Sequence, residues 1–415
     1  MDNKKQSYMP RISRNKSDST INVWCFVYFA ISFLLFSLVY KKGTTGFQYI
    51  YVPHIAGLVV YMHVGLTALW ALVFGLDLFF NNKSMRIDGV FILLAFKCGT
   101  DFISYLLNSS AQTDSYFGYY ACSVISAVAY FICLQVSDKH DWFKGVLIAF
   151  ACVLAIQSIW TAIEIPVSYF EAEYKMYMQI PYAASNVIAS VFAAFFFIGF
   201  FIKSKWKYAY MALIFVGLVL TKSRGGLLLV AIALFAFLFI KNCKKKNAIR
   251  NNFILILVSL VLVAILLAIP AVRTVLSGYI SSGSDISSGR FELFSEVFIK
   301  SWEKPFFGHG LGVGFKNEAG AHNLLVDLIY KCGIVGFIIY GSALGLIVYN
   351  AYKTKNLDSV YFCLLVVLFL NSMFEVSYFS YRCDAIFWMI AGLLSSLSYK
   401  DKKKINKIDC TLINQ

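Results

Sequence analysis

Charge is what this sequence has least of. Only 14% of its 415 residues are Asp, Glu, Lys or Arg, where a soluble globular chain carries about a quarter. Water is therefore not the main solvent for its surface. Several chemical signatures are missing too. No C-x-x-C occurs, and most of the 10 cysteines (Cys25, Cys98, Cys122, Cys133, Cys152, Cys332 and Cys363 among them) lie in or beside apolar stretches. They read as small apolar residues, not as a disulfide framework. No D-x-D occurs, so a nucleotide-sugar transferase with a bound divalent cation has no support. The five histidines (His54, His63, His140, His309, His322) offer no zinc-ligand spacing with Cys or carboxylates. No G-K-[ST] is present to cradle a nucleotide. Neither metal nor cofactor is expected.

What is present is hydrophobic residues, 59% of the chain with 39 Phe and 26 Tyr, gathered in blocks. A helix crossing the hydrocarbon needs about 20 mainly apolar residues. Only helices and closed barrels satisfy the backbone there. Runs such as 253–272 lack the alternation of a barrel strand, so an all-α, polytopic membrane protein of about twelve transmembrane helices is expected. The blocks lie near 22–40, 50–79, 88–107, 117–136, 144–164, 184–202, 207–221, 226–240, 253–272, 324–348, 359–377 and 384–398. The pair over 207–240 reads equally as one broken hairpin.

Lys and Arg set the orientation, because positive loops stay in the cytoplasm. With both termini inside, 24 of the 37 fall in cytoplasmic segments. The net charge of +15 is then a topology signal with attraction to anionic lipid, and no nucleic-acid partner is needed. The first block follows a polar, basic tail of 21 residues without a convincing cleavage site, so it reads as a retained span.

Two outside segments are long. One runs over 166–183. The other, 273–321, is the one place for a small folded substructure, and long loops on a rigid scaffold are where function resides. In it, residues 279–289 are a small, polar connector. Phe291, Phe294, Phe298 and Trp302 then fall on one face of an amphipathic helix that Pro305 ends. That helix is expected flat on the outer surface or over the mouth of the bundle. A glycine-rich return follows, with Gly308, Gly310, Gly312, Gly314 and Gly320, which shapes a ligand site or is a flexible link.

Three outside positions suit chemistry. Arg224 sits in TKSRGG beside Lys222, Arg290 opens the amphipathic helix, and His322 precedes Asn323 where the chain re-enters the membrane. Arginine's planar fork holds phosphate bidentately, though each Arg could equally snorkel to headgroups. His322 suits proton transfer near neutral pH, though a lone histidine is more often structural. Lys97 and Asp101, four apart, read as an ion pair in the bundle or as part of a transport path.

These residues resemble the O-antigen ligase and O-antigen polymerase superfamily of bacterial envelope glycosyltransferases, over about residues 207–345. The resemblance rests on the SRGG turn, on GRFELFSEVFIKSWEKPFFGHGLG, on HNLLVDLIYKCGIVG with His322, Gly333 and Gly336, and on Phe374–Glu375. It implies a metal-independent glycosyltransferase of the inner membrane with a periplasmic site. The donor would be a glycan on undecaprenyl pyrophosphate, and the acceptor either lipid A core or a second lipid-linked glycan. It further implies that Arg224, Arg290 and Lys222 bind the pyrophosphate and that His322, with Arg290, serves catalysis. Asn323, Gly308, Gly310 and Glu375 would shape the loop or the acceptor site, with Asn186 a weaker candidate.

The expected organisation is a cytoplasmic tail (1–21), amino-terminal transmembrane helices (22–206), the ligase/polymerase-like domain (207–348), carboxy-terminal helices (349–398) and a second tail (399–415). The apolar amino-terminal half is expected to form a lateral groove for the polyprenyl chain. Ligase is favoured over polymerase of O-antigen, capsule or exopolysaccharide. A lipid-linked glycan flippase is the rival of another class, but it predicts two related halves, and no repeat relates 22–202 to 207–398.

Overall fold

The structure, a computed structural model, describes residues 16–37, 53–81, 85–108, 116–171, 173–180, 182, 185–243, 246–268, 290–311, 313, 322–373 and 381–413. Ten helices precede the long loop: α1 (Lys16–Ser37), α2 (Pro53–Asn81), α3 (Gly89–Leu107), α4 (Tyr116–Leu134), α5 (His140–Glu164), the short α6 (Tyr174–Tyr177), α7 (Ser185–Phe196), α8 (Lys207–Leu220), α9 (Arg224–Cys243) and α10 (Ala248–Ala268). A 3-10 turn, Phe197–Phe201, extends α7. Then come α11 (Arg290–Ser301), α12 (Leu324–Lys353), α13 (Val360–Ser372) and α14 (Tyr381–Ile413). No strand forms among the described residues, and each of the twelve apolar blocks carries a helix.

Among the described residues, α3, α5, α9 and α12 are long and apolar enough to cross a membrane, and shorter apolar helical stretches accompany them. α8 counts 14 residues and α13 counts 13, about 20 Å each, where the hydrocarbon is about 30 Å thick. The pair over 207–240 is two helices joined by a turn, not a broken one.

Helices consecutive in sequence alternate in direction, so their ends gather at two levels. We call the end that carries the α8–α9 turn the upper end. α4 packs on α14, α3 on α12, α5 on α8, and α7 on α8, α9 and α13. A polar network ties the lower end. Tyr130 donates to Asp88 at 2.6 Å, His140 shares a hydrogen bond with Ser396 at 2.8 Å, and the Tyr361 hydroxyl donates to the His140 carbonyl at 2.7 Å. Each bond joins elements far apart in sequence, which fixes helix register where apolar packing alone tolerates sliding.

Inside the bundle, the Lys97 ammonium lies 2.6 Å from the Asp101 carboxylate, and the Ser123 hydroxyl donates to the same oxygen at 2.6 Å. Both charged residues are buried. Pairing within one helix turn satisfies each charge locally, so the structure places these two as an ion pair joining α3 to α4. Removing one member leaves an uncompensated buried charge, which typically costs about 3–5 kcal/mol, while removing both costs much less. Thermal unfolding in nanodiscs should therefore show Lys97→Met well below wild type. The Lys97→Met/Asp101→Asn pair should recover most of the loss.

Candidate functional site

The upper end is organised by a break in α12. Gly333 has φ 68° and ψ −176° in the middle of that helix, a conformation only glycine adopts readily. The break frees backbone groups on both sides, and the chain over 305–310 takes them up. The amides of His309 and Gly310 donate to the carbonyls of Tyr330 and Lys331 at 2.8 and 3.0 Å. Those of Ile334 and Val335 donate to Pro305 and Phe306 at 2.7 and 3.2 Å. The two backbones approach so closely that a Cβ on Gly308 would lie 2.5 Å from the Lys331 carbonyl carbon, and one on Gly333 would lie 2.3 Å from the Phe306 oxygen. Gly308 and Gly310 thus shape this loop, and the glycine-rich return is an interlock, not a flexible link.

Side chains fasten the interlock. Asn108, buried after α3, donates to the Gly308 carbonyl at 3.2 Å and accepts from the Lys304 ammonium. The His309 ring stacks on Tyr330 at 4.6 Å, and its Nε2–H donates to the Lys300 carbonyl at 3.1 Å. Burial holds the His309 pKa below the usual histidine value, with the nearby Lys304 pushing the same way. His309 is therefore structural.

α11 packs on the upper part of α12, where Val297 and Tyr330 are buried together with Leu293, Phe294 and Val326 around them. At about 100° per residue, this buried face is turned from the aromatic face the sequence suggested. Phe298 and Trp302 are exposed and touch each other edge to face at 6.1 Å. Glu292, Glu296 and Lys300 fill the third side, so α11 has a protein face, an exposed apolar face and a charged face. Of the aromatic residues expected on one face, Phe294 turns to the protein, while Phe298 and Trp302 are exposed.

The bend in α12 also sets where its first residues go. Six residues, Thr354–Ser359, connect α12 to α13, so their lower ends are level. Below the break, Ile334–Lys353 rises about 30 Å, against about 20 Å for α13. Yet the Asn323 amide reaches the Met373 carbonyl at the top of α13, at 3.1 Å. Leu324 and Leu328, in the segment before Gly333, are buried in the main core. Asn323 is also the helix cap, its side-chain oxygen accepting from Leu325 and Val326 at 3.0 and 3.2 Å. His322, just before the cap, is held at φ 57°. Left-handed backbone at a non-glycine residue costs about 1–3 kcal/mol and clusters at functional sites.

Arg224 opens α9 and is exposed. Ser223 and the left-handed Lys222 (φ 52°) make the tight turn before it. The Lys222 ammonium is already engaged, donating to the Glu171 carbonyl at 2.6 Å with the Tyr169 ring 5.6 Å away. Tyr169 in turn donates to Val219 at 3.0 Å, so the 166–183 segment clasps the α8–α9 turn. Tyr361 at the start of α13 bonds to His140 at the start of α5, and Tyr169, past the end of α5, bonds to Val219 at the end of α8. α13 therefore ends at the upper end, where Asn323 meets Met373, and the starts of α9 and α12 both stand there. Arg290 is the first residue of α11; its side chain lies outside the described residues, as do Phe374 and Glu375. Asn186 is in the first turn of α7, also at the upper end. Sequence reading passed over Asn108, Lys304, Asp327 and Lys331. The last two, buried in the upper part of α12, carried a signal in their spacing of four within an apolar run.

The fold and this end define an integral membrane protein, helical throughout its described elements, with a glycine-locked loop beside two helix starts. Residues 209–341 match the family model described as O-antigen ligase. No curated protein matches the chain.

Two outcomes follow. Gly308→Ala should raise amide hydrogen exchange at Ile334 and Val335 by about tenfold or more, since strain and overlap both oppose the interlock. Protonating His309 works against the fold, because its pKa is depressed there. The unfolded loop binds the proton more readily, so stability is present above the ordinary histidine value and falls as pH drops through it. Exchange of the same amides should rise below about pH 6.5, and His309→Phe should flatten that dependence.

Proposed function

We propose that this protein is a membrane glycosyltransferase moving a glycan from undecaprenyl pyrophosphate to an acceptor sugar at the periplasmic face, acting as O-antigen ligase with lipid A core as acceptor. The observation that carries this reading is the presence of Arg224 and the His322–Asn323 pair at one end of the bundle, both within the matched residues 209–341. In this reading the upper end faces the periplasm of the bacterial inner membrane, both termini are cytoplasmic, and the twelve helices cross or enter the bilayer. The distribution of Lys and Arg supports that orientation.

The chemistry follows from the residue types. The acceptor hydroxyl oxygen attacks the anomeric carbon as the bond to the pyrophosphate oxygen breaks. His322 takes the hydroxyl proton as general base. Arg224 and Arg290 hold the charge that develops on the departing pyrophosphate, which stays on its lipid. Lys222, bound to Glu171 and Tyr169, sets the turn that presents Arg224. The activated leaving group supplies the driving force, so no cofactor or metal is called for. Polymerase is the second reading, because both activities share the domain and differ only in acceptor.

A deletion strain complemented with Arg224→Ala or His322→Ala tests this on a lipopolysaccharide gel. Transfer should fall on the order of 100-fold, the usual contribution of a general base or an oxyanion donor, with lipid-linked polymer accumulating outside. Core capped with one repeat unit would mean polymerase. A full ladder from both variants would remove the site assignment, and glycan trapped inside would favour the flippase.

A further inference from the structure

The break in α12 has a charged neighbour that the transfer chemistry does not use. Lys97, Asp101, Ser104 and Asn108 make a buried polar stripe along one face of α3. At its centre Asp101 lies against the thiol of Cys332, the last residue before Gly333. One Asp101 oxygen is taken by Lys97 and Ser123. The other, Oδ1, is buried and makes no hydrogen bond, and a thiol is only a weak donor to it.

A second carboxylate shares this space. Asp384, in the first turn of α14, accepts from the Trp388 indole at 3.1 Å and is within electrostatic reach of Lys97 and Asp101. Ser126 on α4 lies against Asp384 but out of hydrogen-bond alignment, so its buried hydroxyl is unpaired as well. Two carboxylates thus face one ammonium. Asp327 and Lys331, buried before the break, balance each other. One negative charge is left over among apolar helices, where an uncompensated ion is strongly unfavourable.

The unpaired oxygens and the surplus charge together select what answers them. Water would pair the oxygens and leave the charge. A proton would cancel the charge but supplies a single donor, so one of the two oxygens would stay unpaired. A divalent ion would overshoot the charge, and no group of three His, Cys, Asp or Glu side chains gathers among the described residues. A monovalent hard cation meets both needs. Broken membrane helices hold sodium in this way, with the carbonyl end of a half-helix adding partial negative charge. Asp384 is partly exposed at the upper end, which gives the ion a way in.

We propose that Asp101, Asp384 and Ser126 hold a sodium ion beside the break in α12 and so join α3, α4 and α14 there. None of these ligands belongs to the transfer site, so the ion is structural and the inference stands apart from the transferase reading.

The test uses the full chain in nanodiscs at neutral pH. Sodium chloride in place of N-methylglucamine chloride, at equal ionic strength, should raise the melting temperature by about 2 °C or more, the effect of a roughly tenfold excess of ligand over its Kd. Radioactive sodium should bind at one ion per chain. Asp384→Asn removes the surplus charge. It should therefore melt at least as high as wild type without sodium, and lose both the response and the bound ion. Ser126→Ala keeps the charge but removes a ligand, and should need about tenfold more sodium. Asp141→Asn, which removes an exposed carboxylate at the lower end, should respond as wild type does. Equal melting of wild type in the two salts would overturn the proposal, as would a sodium response that survives Asp384→Asn. So would a carboxylic-acid band in the infrared spectrum that Asp384→Asn removes, because it would put a proton in place of the ion.

Discussion

Four backbone hydrogen bonds between the 305–310 loop and the break in α12 hold the upper end of this protein together. In an apolar surrounding, each amide or carbonyl left unpaired costs several kcal/mol. A helix cannot therefore break at Gly333 unless something takes up the freed groups, and the loop cannot dip beside α12 unless its own groups are paired. Each feature requires the other. Asn108 and Lys304 then join that interlock to α3, and Val297 against Tyr330 joins it to α11. Asn323 reaches Met373, which seats His322 near the top of α13, with α9 and its Arg224 alongside.

The two ends of the bundle differ in kind. At the lower end, hydrogen bonds join side chains on separate helices, such as Tyr130 with Asp88 and Ser395 and Thr354 with Ser398, and they fix register. At the upper end the polar groups mostly serve backbone: Asn323 caps, Lys222 holds a carbonyl, His309 donates to another. Left-handed residues Lys222 and His322 flank the helix starts. Left-handed non-glycine residues mark both ends, with Lys139 and Lys355 at the lower one.

Much of this was legible in the sequence because apolar blocks of about 20 residues are a strong, local signal. Each block carries a helix, and SRGG marks a real turn. What was hidden depends on tertiary pairing. Gly333 lies inside a run of helix formers, and nothing local says that its φ is positive; the partner that makes the break affordable is 25 residues upstream at Gly308. The protein-facing side of α11, with Val297 and Leu293, was not legible because its partner Tyr330 lies 33 residues further on. The bond from Lys222, named as a pyrophosphate ligand, to the Glu171 carbonyl was not legible because the two are 51 residues apart.

The central claim is that the upper end transfers a lipid-linked glycan without help from a nucleotide, a metal or another protein. Purified protein in nanodiscs, mixed with an undecaprenyl-pyrophosphate-linked glycan and lipid A core in the presence of a chelator, tests it most directly. The account predicts glycan on lipid A core from wild type and little or none from Arg224→Ala or His322→Ala. Transfer that survives both substitutions, or that appears only on addition of a divalent cation, would contradict it.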